Sequence, residues 1–258
     1  MDLGLAGKRA LVMGGSRGIG RGIAAALAAE GAAVAIVSRD QAALDKTAAE
    51  IGHGVLPVAA DLADRTALAA AFAAIESRLG GVDILVNNSG GPPPSGVSAI
   101  DPELWRRQFE MMVLNIIGLT DLAVPGMKQR GWGRILTVAS SSVIQPIPTI
   151  GVSNTLRSAL VGWSKTLAGE VGRFGITVNM LLPGSIATQR VAQLNARTAE
   201  AQGKTVDQVA EAAQAAIPVG RYGTVEEFGA VAAFLASIHA GYVTGSMIRI
   251  DGGSVRSV

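Results

Sequence analysis

The chain of 258 residues has no cysteine, which excludes disulfide bonds, thiolate nucleophiles and cysteine-ligated metal. Histidine is almost as scarce: His53 and His239 are the only two. No His/Asp/Glu grouping has ligand spacing, so no metal site is expected. Charge of one sign is also lacking, since 22 Lys+Arg against 20 Asp+Glu leave a net charge of +2. No Lys/Arg run follows a phosphate backbone, and nucleic acid is not an expected partner. The N-terminus MDLGLAGKRALVMGG lacks a basic segment followed by an apolar run and cleavage site, and no apolar stretch is read as long enough to cross a bilayer. The expectation is a cytoplasmic chain without a membrane contact.

What is present is apolar and glycine-rich: 49% hydrophobic residues and 33 glycines with only 4% aromatics suit a closely packed α/β protein. Short β-rich runs alternate with Ala-rich helical patterns. RALVM, AAVAIV, GVLPVA, DILVN, RILTVA, ITVNMLL and MIRI read as strands, and most are continuous apolar runs, as in a parallel sheet covered on both faces. GIAAALAAEG, ALAAAFAAIESRLG and RSALVGWSKTLAGEVGRFG read as helices, two of them stopping before glycine. GGPPPSG at 90–96 is an irregular loop, because successive prolines donate to no ladder. Nothing in the composition marks a linker. Residues 1–258 are therefore expected to form a single domain, with a small helical lobe inserted at about 189–216.

After the first strand comes MGGSRGIG, with Gly14, Gly18 and Gly20 opening the first helix. Glycines there allow a tight turn and let backbone N–H groups approach a pyrophosphate at the positive end of the helix. Ser16, Arg17 and Ile19 lie in the same loop. Asp61, after the third strand, reads either as an adenine contact or as the N-cap of the helix DRTALAAAF.

The glycine spacing is GxxxGxG. Together with NNSG at 87–90, Asn115, SSS at 140–142, PGSIAT at 183–188 and DGG at 251–253, it resembles the short-chain dehydrogenase/reductase family from about Lys8 to Gly253. The 3-oxoacyl-[acyl-carrier-protein] reductases and reductase-like members that share NNSGGPPP are the subgroup it is most similar to. The resemblance implies a Rossmann-type, doubly wound, seven-stranded parallel sheet in three α/β/α layers, a nicotinamide cofactor and a homotetramer. It places Leu62, Asn88, Ser89, Gly90, Pro183, Gly184, Ile186 and Thr188 along the cofactor with the glycine-loop residues. Met13 stands where the family has a threonine, which implies a glycine loop with one tie fewer.

In the family an acidic residue just after the second strand reads the adenosine ribose of NAD. Here the strand ends AIVSRD, so Ser38 takes that place, Arg39 follows it and Arg17 faces the same pocket. Two cations without a carboxylate imply NADP(H) in preference to NAD(H), although Asp40 follows directly.

The family's serine and asparagine correspond to Ser140 and Asn115, but its tyrosine and lysine are replaced by Ser153 and Arg157, four residues apart on one helical face. Serine is far too weak an acid to stand in for tyrosine, and arginine stays protonated. The resemblance thus implies an oxidoreductase reducing a carbonyl to an alcohol, with a 3-oxoacyl group one candidate, through an atypical proton path. Two other readings stay open: an NADP-binding protein without turnover, as a sensor or silent subunit, and a non-redox lyase or isomerase. Tyr222, Tyr242 and both histidines read as structural or surface residues.

Overall fold

The structure, a computed structural model, describes residues 1–257. Its strands are β1 (Arg9–Met13), β2 (Ala33–Ser38), β3 (Leu56–Ala59), β4 (Ile84–Asn87), β5 (Gly133–Val138), β6 (Ile176–Pro183) and β7 (Met247–Ile250). They form one seven-stranded sheet in the order β3-β2-β1-β4-β5-β6-β7, and every pairing is parallel. From β1 the chain winds outward through β2 to β3, then returns to β4 on the other side of β1. That reversal opens a crevice beyond the carboxyl ends of β1 and β4, where doubly wound sheets bind ligands.

The helices are α1 (Gly18–Ala29), α2 (Gln41–Ile51), α3 (Arg65–Leu79), α4 (Pro102–Phe109), α5 (Asn115–Arg130), α6 (Gly151–Val171), α7 (Gln189–Gln202), α8 (Val206–Ala215) and α9 (Val225–Ala236). Side chains alternate across the strands, so the sheet feeds two cores. Val12, Ile36, Leu136 and Leu181 pack with Ile23 and Leu27 of α1 and Phe228 of α9. Leu11, Met13, Leu85 and Ile135 pack with Phe72 of α3, Leu119 and Met127 of α5 and Val171 of α6.

Capping explains several helix starts. Asp40 accepts from Ala43 N ahead of α2, and Thr224 and Glu227 form a reciprocal capping box on α9. The N-cap of α3 is Asp64. This corrects the capping option for Asp61, whose Oδ1 accepts from Ala63 N at 2.9 Å and shapes the turn ahead of that helix.

The membrane expectation also needs correction on one point. α4, a π-helical turn at Glu110–Leu114 and α5 run together as one helical stretch from Pro102 to Arg130, 29 residues long with a mean hydropathy of 1.3 over its most apolar part. By length and composition that matches a membrane span. Ile116, Leu119, Ala123, Val124 and Met127 are nevertheless buried in the fold, so one apolar face is already used in packing.

At the amino ends of the strands a charged cluster closes the sheet. Asp83, 4% exposed, accepts from Arg9 Nε and Nη2, both at 2.7 Å, and from Arg130 Nε at 2.8 Å. Burial works to raise its pKa, but the hydrogen bonds and charge of Arg9, with Arg130 behind them, hold it below the ordinary aspartate value. A depressed carboxyl pKa contributes stability above the unfolded-state value and loses it as the pH falls through the folded-state value. Removing one member of a buried pair costs about 3–5 kcal/mol, and the partial exposure of both arginines puts this pair at the lower end. We therefore expect Asp83→Asn to lower unfolding free energy by about 3 kcal/mol near neutral pH. The gap between mutant and wild type should shrink as the pH drops below about 4. Urea titrations at several pH values check both parts, and a pH-independent gap would refute the ionic account.

Candidate active site

The loop from β1 into α1 can be built only with glycine at two positions. Gly14 has φ +61, and a Cβ there would lie 2.6 Å from Asn88 Nδ2; one on Gly20 would lie 2.2 Å from the Gly14 carbonyl oxygen. Asn88 Nδ2 donates to Met13 O at 3.1 Å and Gly14 O at 3.4 Å, and Thr47 Oγ1 donates to Ser16 O at 2.8 Å. The Met13 side chain belongs to the core. Met13 thus gives the loop no side-chain tie, and the ties present are those of Asn88 and Thr47. Arg17 occupies the N-cap position of α1 without a side-chain cap bond, so the first N–H groups of that helix, beside Gly18 and Ile19, remain free for an anion.

At the end of β2, Ser38 is buried with its Oγ unpartnered. Arg39 beside it is exposed and pairs with no described carboxylate. Asp40 accepts from one α2 amide, that of Ala43, at 3.0 Å. Arg17 Nη1 donates to Gln189 Oε1 at 3.1 Å, across the crevice, and no described hydrogen bond joins it to Ser38 or Arg39. An exposed contact with a neutral amide is weak compared with a charged phosphate bond. An orphaned hydroxyl, a free arginine, a glycine cradle and an open helix start together fit a phosphorylated dinucleotide.

Asn115 begins α5 directly after the π-helical turn, which interrupts the regular ladder as such turns do at functional sites. It is buried, donates through Nδ2 to Leu62 O at 2.8 Å and leaves Oδ1 unpartnered. This bond ties the end of β3, beside Asp61, to the helix. Ser140 follows β5, and its Oγ accepts from Ser142 N at 3.1 Å, capping a 3₁₀ turn. Its own hydroxyl proton stays available. Ser142 is fully buried with an unpartnered hydroxyl; the triple-serine run left the choice among these side chains open.

Ser153 and Arg157 lie one turn apart on α6 and are 7% and 8% exposed. Arg157 Nε donates to Ser153 Oγ at 3.3 Å, Nη1 to Val138 O at 2.9 Å and Nη2 to Ser89 O at 3.3 Å. The guanidinium thus bridges the chain leaving β4, next to Gly90, and the end of β5. Burial, with repulsion from Arg190, pushes its pKa down to about 10. It remains charged at neutral pH, a hydrogen-bond donor rather than a source of protons.

Beyond β6 the chain folds back over the crevice. Pro183 ends the strand; a Cβ on Gly184 would lie 2.7 Å from Asp251 Cα, so the DGG turn packs directly on the PGSIAT segment. Ile186 bridges to Gly223, and Thr188 caps α7. Arg190 Nη2 donates to Pro92 O at 3.1 Å, which pins α7 to the proline loop. Sequence reasoning missed Gln189 and Arg190, although they follow Thr188 directly. Tyr222 accepts from Asn195 Nδ2 at 3.0 Å, Tyr242 is exposed, His53 lies in a turn with φ 54, and His239 bonds Asp2 O.

A family model described as enoyl-(acyl carrier protein) reductase matches residues 14–255. The chain is 33% identical to the 3-oxoacyl-[acyl-carrier-protein] reductase FabG of Vibrio cholerae over 253 residues, covering 97% of this chain and 98% of that protein. Against the NADPH-dependent reductase BacG of Bacillus subtilis it is 32% identical over 256 residues, 97% and 99% of the two chains. The crystal structure of L-sorbose reductase from Gluconobacter frateurii, complexed with NADPH and L-sorbose, matches with a TM-score of 0.95 at 33% identity, covering 100% of both chains.

A Gly20→Ala substitution should force the glycine loop open, because the Gly14 carbonyl cannot yield without dragging Asn88. We expect a natively folded protein by circular dichroism with dinucleotide affinity reduced at least tenfold, about the value of one charged hydrogen bond. Gly162→Ala, in α6 with nothing within 4 Å of the new Cβ, should bind as wild type. Unchanged affinity in Gly20→Ala would dissociate the loop from dinucleotide binding.

Proposed function

The chain belongs to the short-chain dehydrogenase/reductase family, and on that premise we propose how an NAD(P)-dependent oxidoreductase of this family works here with Ser153 and Arg157 at the family's tyrosine and lysine positions. The reading is an NADP(H)-dependent reductase that converts a carbonyl into an alcohol. One observation carries it: the Arg157 fork joins Ser89, on the cofactor side of the crevice, to Val138 and Ser153, on the side of Ser140.

When bound, reduced NADP supplies the hydride; the protein's residues hold the acceptor in line and manage its oxygen. Arg39 and Ser38 read the 2′-phosphate, with Arg17 recruited from Gln189. Gly14, Ser16, Gly18, Ile19 and Gly20 cradle the pyrophosphate. Asp61 and Leu62 flank the adenine, Asn88, Ser89 and Gly90 the central ribose, and Pro183, Gly184, Ile186 and Thr188 the nicotinamide end. Ser140 donates its free hydroxyl hydrogen to the substrate oxygen, and the Arg157 donors left over from its three protein bonds add positive field there. The unpartnered Asn115 Oδ1 would hold a water that gives its proton to the forming alkoxide and takes one in turn from solvent in the crevice. Ser153 serves as a prop for Arg157.

The 189–216 helices and the proline loop cover the substrate in this proposal. Assembly as a homotetramer in the cytoplasm belongs to it too, resting on family membership and on Phe109, Leu114 and Leu122, which remain exposed along the long helical run; light scattering reads the mass.

Arg39→Ala should weaken NADPH binding about tenfold while leaving NADH nearly unchanged, the loss expected for one charged hydrogen bond. Equal losses for both cofactors would assign Arg39 to the fold. The decisive experiment compares wild type with Ser153→Tyr/Arg157→Lys on a panel of ketones and alcohols. Wild type is expected to transfer hydride, with rates insensitive to Ser153→Ala and lowered by Arg157→Ala. The double variant should gain activity with a pH dependence set by the new phenol. If wild type binds NADPH and transfers no hydride while the double variant does, the chain is a silent binder and the proton path above is wrong.

A further inference from the structure

Charge is unevenly distributed around this crevice. Residues 84–100, 135–169 and 176–199, which supply the strand ends, the serine turn, most of α6 and nearly all of α7, contain Arg157, Lys165, Arg190 and Arg197 and no aspartate or glutamate. Lys165 is directed to Gly245 O, at 3.2 Å. Asp251, packed against Gly184, spends its carboxylate on the amides of Gly253 and Val255, each at 3.0 Å. Among the described residues no carboxylate lies within 4.0 Å of Arg157 or Arg190.

Arg157 can be compared with Arg134, a second buried arginine without an ion pair. The Arg134 guanidinium lies 4.3 Å from the Trp132 ring centroid and donates to the carbonyls of Ser237, Gly133 and Gly175, so backbone dipoles and a ring face surround it. Arg157 instead has another cation nearby, Arg190, whose repulsion helps depress its pKa. Ser89, whose carbonyl accepts from Arg157, also has a buried hydroxyl without a partner. Arg157 is buried and Arg190 beside it is exposed, and neither has a local counter-charge, an arrangement that an anion would complete. Arg190 is exposed and commits only Nη2 to Pro92 O, leaving donors for a planar, bidentate partner.

We propose, building on the reductase reading above, that the substrate is a carbonyl compound bearing a carboxylate, with Arg190 pairing with that carboxylate at the mouth and Arg157 supplying positive field behind it. A carboxylate fits better than a phosphate. Arg190 offers one planar fork, which the two coplanar oxygens of a carboxylate match, and Thr188 already takes one of the α7 amides, that of Val191, at 3.4 Å.

The test measures binding rather than turnover, so it stands apart from the fate of the reductase reading. Protein saturated with NADP⁺ is titrated by calorimetry with straight-chain oxo acids of three to six carbons, their methyl esters and inorganic phosphate. The best acid should bind at least tenfold more tightly than its ester, the preference expected from a charged hydrogen bond. Arg190→Ala should abolish that preference in a protein that still folds by circular dichroism and still binds NADP⁺, and Arg190→Lys should retain part of it. Equal affinity of acids and esters, absence of acid binding across the panel, or a preference that survives in Arg190→Ala overturns the proposal. Phosphate binding as tightly as the best acid with the same dependence on Arg190 overturns the carboxylate assignment. A wild type that prefers acids yet transfers no hydride refutes the reductase and leaves the anion site standing.

Discussion

Where parallel strands end inside a covered sheet, their last carbonyl groups enter the interior with no strand left to pair with, and each needs a partner there. This requirement governs the crevice. At the strand ends Asn88 takes the Met13 and Gly14 carbonyls and Arg157 that of Val138, and in the loops just beyond β3 and β4 Asn115 takes that of Leu62 and Arg157 that of Ser89. Three polar side chains that look functional in a linear reading are also the means by which the strand ends are held in register. A ligand placed across them meets a rigid frame, because loosening any one strands a buried carbonyl.

The same frame explains why the two ends of the sheet are treated differently. At the amino ends, Asp83 pairs with both Arg9 and Arg130, and this ionic cluster serves stability. At the carboxyl ends, Arg157 is buried among neutral acceptors with a second cation close by. Evolution of a stable fold by itself favours the first arrangement, since an uncompensated buried charge is costly. The second is sustained by backbone carbonyls and a ring face at Arg134 and, in the proposal above, by a charged ligand beside Arg157.

Much of the architecture was legible because its causes are local. Period-two and continuous apolar runs marked all seven strands, and RALVM and MIRI coincide with β1 and β7 residue for residue. The glycine loop was legible because Gly14 and Gly20 answer steric demands only glycine meets. Errors arose where local signals compete. Asp61 and Asp64 are both plausible caps three residues apart, and only the turn geometry gives the helix to Asp64. At 102–130 the sequence reading missed that one helical stretch has both the length and the composition of a membrane span.

By itself the sequence determined the α/β order, the glycine cradle, the absence of a carboxylate at the end of β2 and the presence of Ser153 and Arg157 one helical turn apart. These follow from residue type and spacing, which act over a few residues. Only the tertiary structure decided what those residues touch. Arg157 reaches Ser89 across 68 positions, and Arg190 reaches Pro92 across 98. Asn88, rather than a hydroxyl at position 13, ties the glycine loop. Such contacts depend on the winding of distant strands to one crevice, and a cation's meaning there depends on which opposite charges the fold brings near it.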